Sequence, residues 1–460
     1  MRCKLNENIA LRGWRLVPRA YYRRGDSYAK GLSPGEFEVL LKCDGETEIE
    51  PSPELSALMA RGLCLPAERG EAPTTWQSYR FCDNRYFPMV NWAITGKCNF
   101  NCRHCFNASD KTPISSEFSW EQCLSFIEQL DECGVQTVTL TGGEPMLHHR
   151  FMDICRELDK RGMVIREINT NGSQITSKML DEFTAFNYKP LFKLSLDGLG
   201  HHDWFREKQG AEQDVIEKIS LLRGKGFDVR IQTNVHRGNT DTVLPTAKLV
   251  GDMGAEGIRV IRTSESPRLE ATGGDLCLGI NEYYDFALDF TRACLEENLQ
   301  LSVDIWQVFR FWPKSRTFHH RPIEGGIHNY RRNMPACRGV RGQIAVTPEG
   351  DIVPCNQLSG CFKKQGIFLG NVNETRLREL LTDSEYLNTV CFSAGELQKE
   401  NPKCQSCPYW RLCLGGCRAI AMLHGGGYRK HDPAKCIYFE EYMNRFAALF
   451  GDDWQCTDDL

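Results

Sequence analysis

The stretch Ile94-Thr-Gly-Lys-Cys-Asn-Phe-Asn-Cys-Arg-His-Cys-Phe106 sets Cys98, Cys102 and Cys105 in a C-x3-C-x2-C spacing, directly after a strand-like apolar run that begins at Phe87. Three thiolates in one short loop can hold three corners of a cubic iron–sulfur cluster, leaving the fourth iron free to bind something else. A zinc site would want four closed ligands, usually as two C-x2-C pairs. Three cysteines that only pack in a core are the plain structural alternative.

Composition narrows the setting. Twenty-two cysteines in a small secreted chain would mean disulfides, but this chain has 460 residues and is not visibly secreted. Its N-terminus, Met1-Arg-Cys-Lys-Leu-Asn-Glu-Asn, has no apolar run of signal length, and no stretch approaches the ~18 apolar residues that span a bilayer. A soluble cytoplasmic protein with no membrane partner is expected. The net charge of −4 has mixed signs, which argues against nucleic acid as a partner. Metal ligation explains the clustered cysteines. The scattered ones (Cys3, Cys43, Cys64, Cys82, Cys123, Cys133, Cys155, Cys277, Cys294 and Cys456) fit buried small hydrophobes in a reducing, anaerobic cell.

A second motif follows. Thr137-Val-Thr-Leu-Thr-Gly-Gly-Glu-Pro145 is a β-branched strand ending in a Gly-Gly-Glu turn. With the cysteine loop before it, the chain resembles the radical S-adenosylmethionine (SAM) enzymes, in which the loop follows the first barrel strand and Gly-Gly-Glu the second. From Phe87 to about Ser266 strands and helices alternate, which argues parallel β/α architecture. Strands are expected at Met89–Thr95, 137–141, 164–169, Leu191–Ser195, 229–233 and 258–261, with amphipathic stretches such as 120–133 and 215–222 between them. Six such units match the family's partial (β/α)6 barrel, a TIM-like α/β fold whose site lies at the C-terminal strand ends.

Flanking regions complete the layout. Residues 1–75 form a separate unit, with strands expected at 9–17, 20–23 and 27–30 and turns at Pro18 and Gly25-Asp26. Ser33-Pro-Gly-Glu36 starts a helix through a capping box, and a second helix runs 53–60. This order resembles the winged-helix-like recognition element of enzymes that modify ribosomally made peptides. In that family a leader peptide adds a strand to the domain's third strand, here near residues 27–30 and facing the helix around 55–59. Residues 76–86 are expected to be a linker. Residues 267–335 are expected to be a bridge with a helix at 281–297, in which the aromatic-rich run 305–312 serves packing. Residues 336–460 carry Cys337, Cys355, Cys404, Cys407, Cys413, Cys417 and Cys436, a seven-cysteine pattern that resembles the SPASM extension.

The resemblance implies SAM and three [4Fe–4S] clusters. Cys98, Cys102 and Cys105 would hold the SAM-binding cluster. Cys404, Cys407, Cys413 and Cys436 would hold one auxiliary cluster and Cys337, Cys355 and Cys417 the other, with Cys361 or an open iron at its fourth corner. For SAM itself the family implies Gly142, Gly143 and Glu144 at the methionine amine and Ser195 and Asp197 at the ribose. Asn169 and Asn171 would lie nearby, Arg206 would pair with the carboxylate, and His104 would sit beside the adenine. Gln232 and Asn234 are further polar positions at the fifth strand. No single catalytic residue stands out, and local turn capping is the structural alternative for each of these polar residues.

Recognition element plus SPASM implies a maturase of ribosomal peptides, forming a thioether crosslink first and a carbon–carbon bond second. Its partners would be a precursor peptide bound through its leader and an electron donor such as a flavodoxin or ferredoxin. An anaerobic sulfatase maturase is the alternative, but that subfamily has an aspartate base where this chain has Asn356. A non-catalytic iron–sulfur scaffold that binds peptides would require the Gly-Gly-Glu and Ser-Leu-Asp-Gly motifs to be accidental.

Overall fold

A computed structural model describes residues 1–26, 28–105, 116–266, 268–269, 275–320, 336–337 and 342–457. The N-terminal unit contains β1 (Arg2–Leu5), β2 (Ile9–Trp14), β3 (Val17–Arg23), β4 (Lys30–Gly31), β5 (Asp44–Glu48), β6 (Cys64–Pro66) and β7 (Arg80–Cys82). These form two small sheets, β5-β1-β6 and β4-β3-β2-β7, rather than one three-stranded sheet. β1 follows from the alternation Arg2-Cys3-Lys4-Leu5, whose cysteine and leucine are buried.

Pro18 lies inside β3 instead of at the turn. It is tolerated because the β2–β3 register shifts around Gly13, where no ladder N–H is required of it. The strand expected at 27–30 shortens to Lys30–Gly31, and residue 27 lies outside the described residues. Residues 76–86 do more than link, because β7 pairs in parallel with β2.

Helix α1 (Pro34–Leu41) starts at the expected box: Ser33 Oγ accepts from Glu36 N (3.2 Å) while Ser33 N donates to Glu36 Oε2 (2.8 Å). Helix α2 (Pro53–Ala60) is capped by Ser52. Leu40, Leu55 and Leu58 close a separate small core with Cys3, Cys43 and Cys64. The unit docks on the end of the helix Trp120–Glu132. There Trp14 Nε1 donates to Cys133 O (2.9 Å) and Arg80 Nη2 pairs with Asp131 (2.9 Å).

The barrel strands are β8 (Met89–Thr95), β9 (Thr137–Gly142), β10 (Val164–Thr170), β11 (Leu191–Ser195), β12 (Val229–Val235) and β13 (Gly257–Arg262), all parallel neighbours in that order. The structure therefore has the radical SAM type of partial barrel expected from the sequence. The sheet also continues past both expected edges. β14 (Ser302–Ile305) adds in parallel to β13, followed by β15 (Phe309–Trp312) and β16 (Thr317–His319) as antiparallel strands. On the other side β17 (Gln343–Val346) pairs in parallel with β8 and antiparallel with β18 (Ile352–Val353). The run 305–312 is thus sheet edge and core, as Phe309 and Phe311 are fully buried.

Alternation along the strands divides the sheet. On the helix side, Trp92, Ile168, Phe192, Leu194, Ile231, Ile258, Val260, Val303 and Ile305 are inaccessible, and Trp92 meets Phe118 and Phe126 edge-on. The opposite face is polar. Ser195, Gln232, Arg259, Asp304 and Arg310 stand side by side across five strands. Burying such a row requires pairing, and it is paired. Arg259 Nε and Arg310 Nη2 each lie 2.7 Å from Asp304 Oδ2, and Lys193 bonds Glu167 beside them.

Candidate active site

The cysteine loop leaves the top of β8 with Cys98 exposed and Cys102 and Cys105 half-buried. Partners far along the chain pin Asn99, Asn101 and Arg103. Asn99 accepts from Asn171 Nδ2 (2.9 Å) and donates to Ser173 Oγ (2.9 Å). Asn101 donates to Glu207 (2.9 Å) and its carbonyl accepts from Arg268 (2.9 Å). Arg103 N donates to Phe205 O (3.0 Å), and its guanidinium lies over the Trp204 ring at 4.6 Å. The loop is therefore a fixed frame that holds three thiols without tying them to one another. Three thiols in one loop supply three corners of a cluster, one fewer than the four closed ligands of a structural zinc site.

Gly142 and Gly143 end β9 beneath this loop. A β-carbon on Gly142 would fall 2.2 Å from Thr95 O, and one on Gly143 would fall 2.3 Å from Lys97 O. Only glycine lets the two strand ends meet, with Gly143 N and Glu144 N each donating at 2.8 Å to Thr95 O and Lys97 O. Glu144 is fully buried. Its Oε1 accepts from Thr170 Oγ1 (2.7 Å) and Met146 N (3.3 Å), and its Oε2 accepts from Asn171 N (2.8 Å). Burial nevertheless pushes its carboxyl up to about 7. In the structure Glu144 thus clamps the third strand end to the second.

Asp197 is the hub of the opposite rim. Its Oδ2 takes Arg206 Nε at 2.5 Å, while Oδ1 takes Asn234 N (2.8 Å) and Asn234 Nδ2 (3.2 Å). Burial alone would raise this carboxyl; the Arg206 charge and the His202 hydrogen bond outweigh it and hold it well below the usual carboxylate range. Arg206 Nη1 also reaches Cys102 Sγ at 3.7 Å, so the arginine bridges the rim and the cysteine loop. His104 stacks on Phe205 with ring centroids 4.0 Å apart, and its Nε2 meets Asn234 Nδ2 at 3.3 Å. Burial lowers its imidazole to about 3, so it is neutral. Two buried atoms on these strand ends, His104 Nδ1 and Asn169 Oδ1, have no partner among the described residues. Together with the open thiols they give the site unmet donor and acceptor capacity, as a cluster carrying a polar ligand requires.

The expected residues at 98–105, 142–144, 169–171, 195–197, 206 and 232–234 therefore share one end of one sheet. Asn99, Asn101, Phe205, His202 and Arg268 also shape it and were not foreseen. Apart from His202, which bonds Asp197 five residues before it, their partners lie tens of residues away, and only the polar character of the loop hinted at them.

The C-terminal cysteines fall into two groups. Cys404, Cys407, Cys413 and Cys436 line one small cavity, with Lys435 and Asp432 beside them. Asp432 organises the surrounding turns, its Oδ2 accepting from Cys417 N (2.8 Å) and its Oδ1 from Lys435 N (3.0 Å). The thiols of Cys337 and Cys417 both raise Cys355 after burial does, so these three neighbour one another. Cys361 sits on the helix Asn356–Gln365, next to Gln365 Nε2 (3.5 Å) and the Lys364 charge. The fourth-ligand expectation for Cys361 gains nothing from these contacts. The bridge segment 321–335 lies outside the described residues.

Comparison with known proteins agrees with this geometry. Residues 92–250 match the radical SAM superfamily model, and residues 337–408 match the SPASM iron–sulfur cluster-binding domain model. The chain is 26% identical over 359 residues to an AdoMet-dependent heme synthase of Methanosarcina barkeri, covering 76% of this chain and 96% of that protein. It is 26% identical over 402 residues to the mycofactocin maturase MftC of Mycolicibacterium smegmatis, covering 85% and 88%. Streptococcus suis SuiB bound to its precursor peptide SuiA superposes with a TM-score of 0.66 at 14% identity, over 94% of this chain and 98% of that one. Radical SAM proteins bind SAM on a 4Fe–4S cluster, and SPASM domains bind auxiliary clusters. No helix among the described residues is long and apolar enough to cross a membrane. The chain carries a radical SAM domain and, C-terminal to it, a SPASM iron–sulfur cluster-binding domain.

Proposed function

We propose that this protein is a peptide maturase, which takes a hydrogen atom from a ribosomally made precursor and closes a crosslink on the resulting carbon radical. A thioether to a cysteine sulfur is the first choice and a carbon–carbon bond the second. The observation that carries the reading is the N-terminal unit. It leaves the short strand β4, Lys30–Gly31, exposed at the end of its sheet, open to an added strand. The SuiB fold likeness covers 94% of this chain, the PqqA peptide cyclase of Gluconobacter oxydans acts on a peptide by name, and MftC is a maturase by name.

When bound, the cluster and SAM supply the radical chemistry. The chain's own residues do the positioning. Arg206 and Asp197 fix one rim, Glu144 and Asn171 the other, and the stacked His104–Phe205 pair walls the space between them. In a thioether closure the peptide would lose one hydrogen atom from carbon, one proton from sulfur and one electron, and Cys337, Cys355 and Cys417 would hold an auxiliary cluster able to take that electron. Residues 1–75 hold the leader, and a flavodoxin or ferredoxin supplies the reducing electron.

A second reading is heme synthase, the name shared by three curated relatives. The alignment covers nearly all of the Methanosarcina protein yet leaves about a quarter of this chain outside it, which favours the peptide reading. Asn356 opens the helix after Cys355 and offers no carboxylate, which counts against formylglycine formation. To test these readings, the reconstituted protein is incubated anaerobically with SAM, dithionite and the short cysteine-bearing peptides encoded beside its gene. A peptide lighter by two hydrogens, formed with 5′-deoxyadenosine, supports the maturase. Haem formation from a tetrapyrrole precursor with every peptide unchanged would transfer the case to the second reading.

A further inference from the structure

Two buried phenols stand in the SPASM domain with nothing to bond. Tyr386 is fully inaccessible and Tyr428 nearly so, and neither hydroxyl oxygen has a hydrogen-bond partner among the described residues. Each ring is held by apolar packing: Tyr386 against Phe87 at 6.2 Å, and Tyr428 edge-on to Phe362 at 6.0 Å and Phe392 at 5.7 Å. The backbone at Tyr428 is fixed as well. Its carbonyl accepts from Arg418 Nη1 (3.0 Å), and Arg418 is itself buried between the turns at 415–416 and 428–430. Neither ring can swing out to water without breaking this packing. Two orphaned hydroxyls in one domain are unusual, because a buried O–H nearly always has an acceptor.

The charges around them show where that acceptor belongs. Apart from burial, the groups that act on Tyr386 are the thiols of Cys391, Cys355 and Cys337, and those that act on Tyr428 begin with Cys337, Tyr386 and Cys355. A phenol of ordinary pKa, about 10, is protonated at neutral pH, which keeps both donors. The two hydroxyls come from different elements, the helix Glu385–Val390 and the turn before Asp432, and Cys337 and Cys355 act on both.

We propose that Tyr386 and Tyr428 are positioning residues that donate hydrogen bonds to the sulfurs of the auxiliary cluster held by Cys337, Cys355 and Cys417. Donors to cluster sulfur stabilise the reduced, more negative state and raise the reduction potential. The pair therefore sets that cluster above its unassisted potential, so that it accepts the electron left after substrate oxidation. The inference rests on those three cysteines holding a cluster, which is part of the proposed reading.

The test is an anaerobic potentiometric titration of the reconstituted full chain, followed by electron paramagnetic resonance. Tyr386→Phe and Tyr428→Phe keep the ring and delete the donor. Each should shift one auxiliary potential to a more negative value and leave the SAM-binding cluster's potential unmoved, with the double variant shifted furthest. In the native chain, exchange into deuterated water should replace hydroxyl protons coupled to the same cluster, giving a readout that needs no variant. Unchanged potentials, or no exchangeable coupling lost with the phenylalanines, overturn the proposal even if iron content or stability falls. Cys355→Ser separates the two failures: if it leaves both auxiliary signals intact, the ligand assignment is wrong and the proposal falls with it.

Discussion

Glu144 carries the most legible consequence of any single residue. Its folded value of about 7 stands above the ordinary 4.5 because burial disfavours the charge. Between those values the folded chain keeps a proton that the unfolded chain has lost, so stability falls as pH rises through the window. The size is about 3 kcal/mol across the full span. Glu144→Gln should remove that component, and denaturant unfolding of the SAM-free protein at the two ends of the window checks it. The same residue has contacts that its motif does not announce. Gly-Gly-Glu is readable as a SAM-site turn, yet the side chain of Glu144 is spent on Thr170, Asn171 and Met146. Long-range polar contacts of this kind leave no local pattern.

Among the elements, the strands that bear motifs were plain in the sequence, because each is a short apolar run followed by a polar or glycine-bearing turn. β14 and β17 were not. Each is only four residues long, and β14 lies in a segment whose aromatic residues fit core packing as well as a sheet. Together they extend the polar face, where Asp304 holds two guanidiniums. Asp304→Asn strands both charges and should cost about 3–5 kcal/mol, against about 3–5 kcal/mol for Trp92→Ala on the apolar face. Comparable losses in unfolding midpoint would establish that the charged row is structural to the same degree as the core. In the cysteine loop, replacing Cys98, Cys102 and Cys105 together by alanine should remove roughly four of twelve irons and abolish 5′-deoxyadenosine formation. Iron analysis beside product chromatography reads both.

The whole molecule places a small two-sheet N-terminal unit, a radical SAM barrel and a SPASM iron–sulfur domain on one chain, tied by Trp14 to the helix Trp120–Glu132 and by Gln129 Nε2 to Val372 O at 3.3 Å. The three-part layout was legible in the sequence because each part carries its own signature: a capping box, a cysteine loop, a cysteine series. The joins were not, since β7 and Arg80 bridge the units from a stretch that looked like a linker. The central claim is that this assembly modifies a peptide it holds by the leader. It is tested most directly by the mass of a cysteine-bearing peptide, with and without its leader, after incubation with the intact reconstituted protein, SAM and reductant. The account predicts a loss of two hydrogens from the leader-bearing peptide and little or none from the leaderless one. Equal modification of both, or of neither while 5′-deoxyadenosine accumulates, would contradict it.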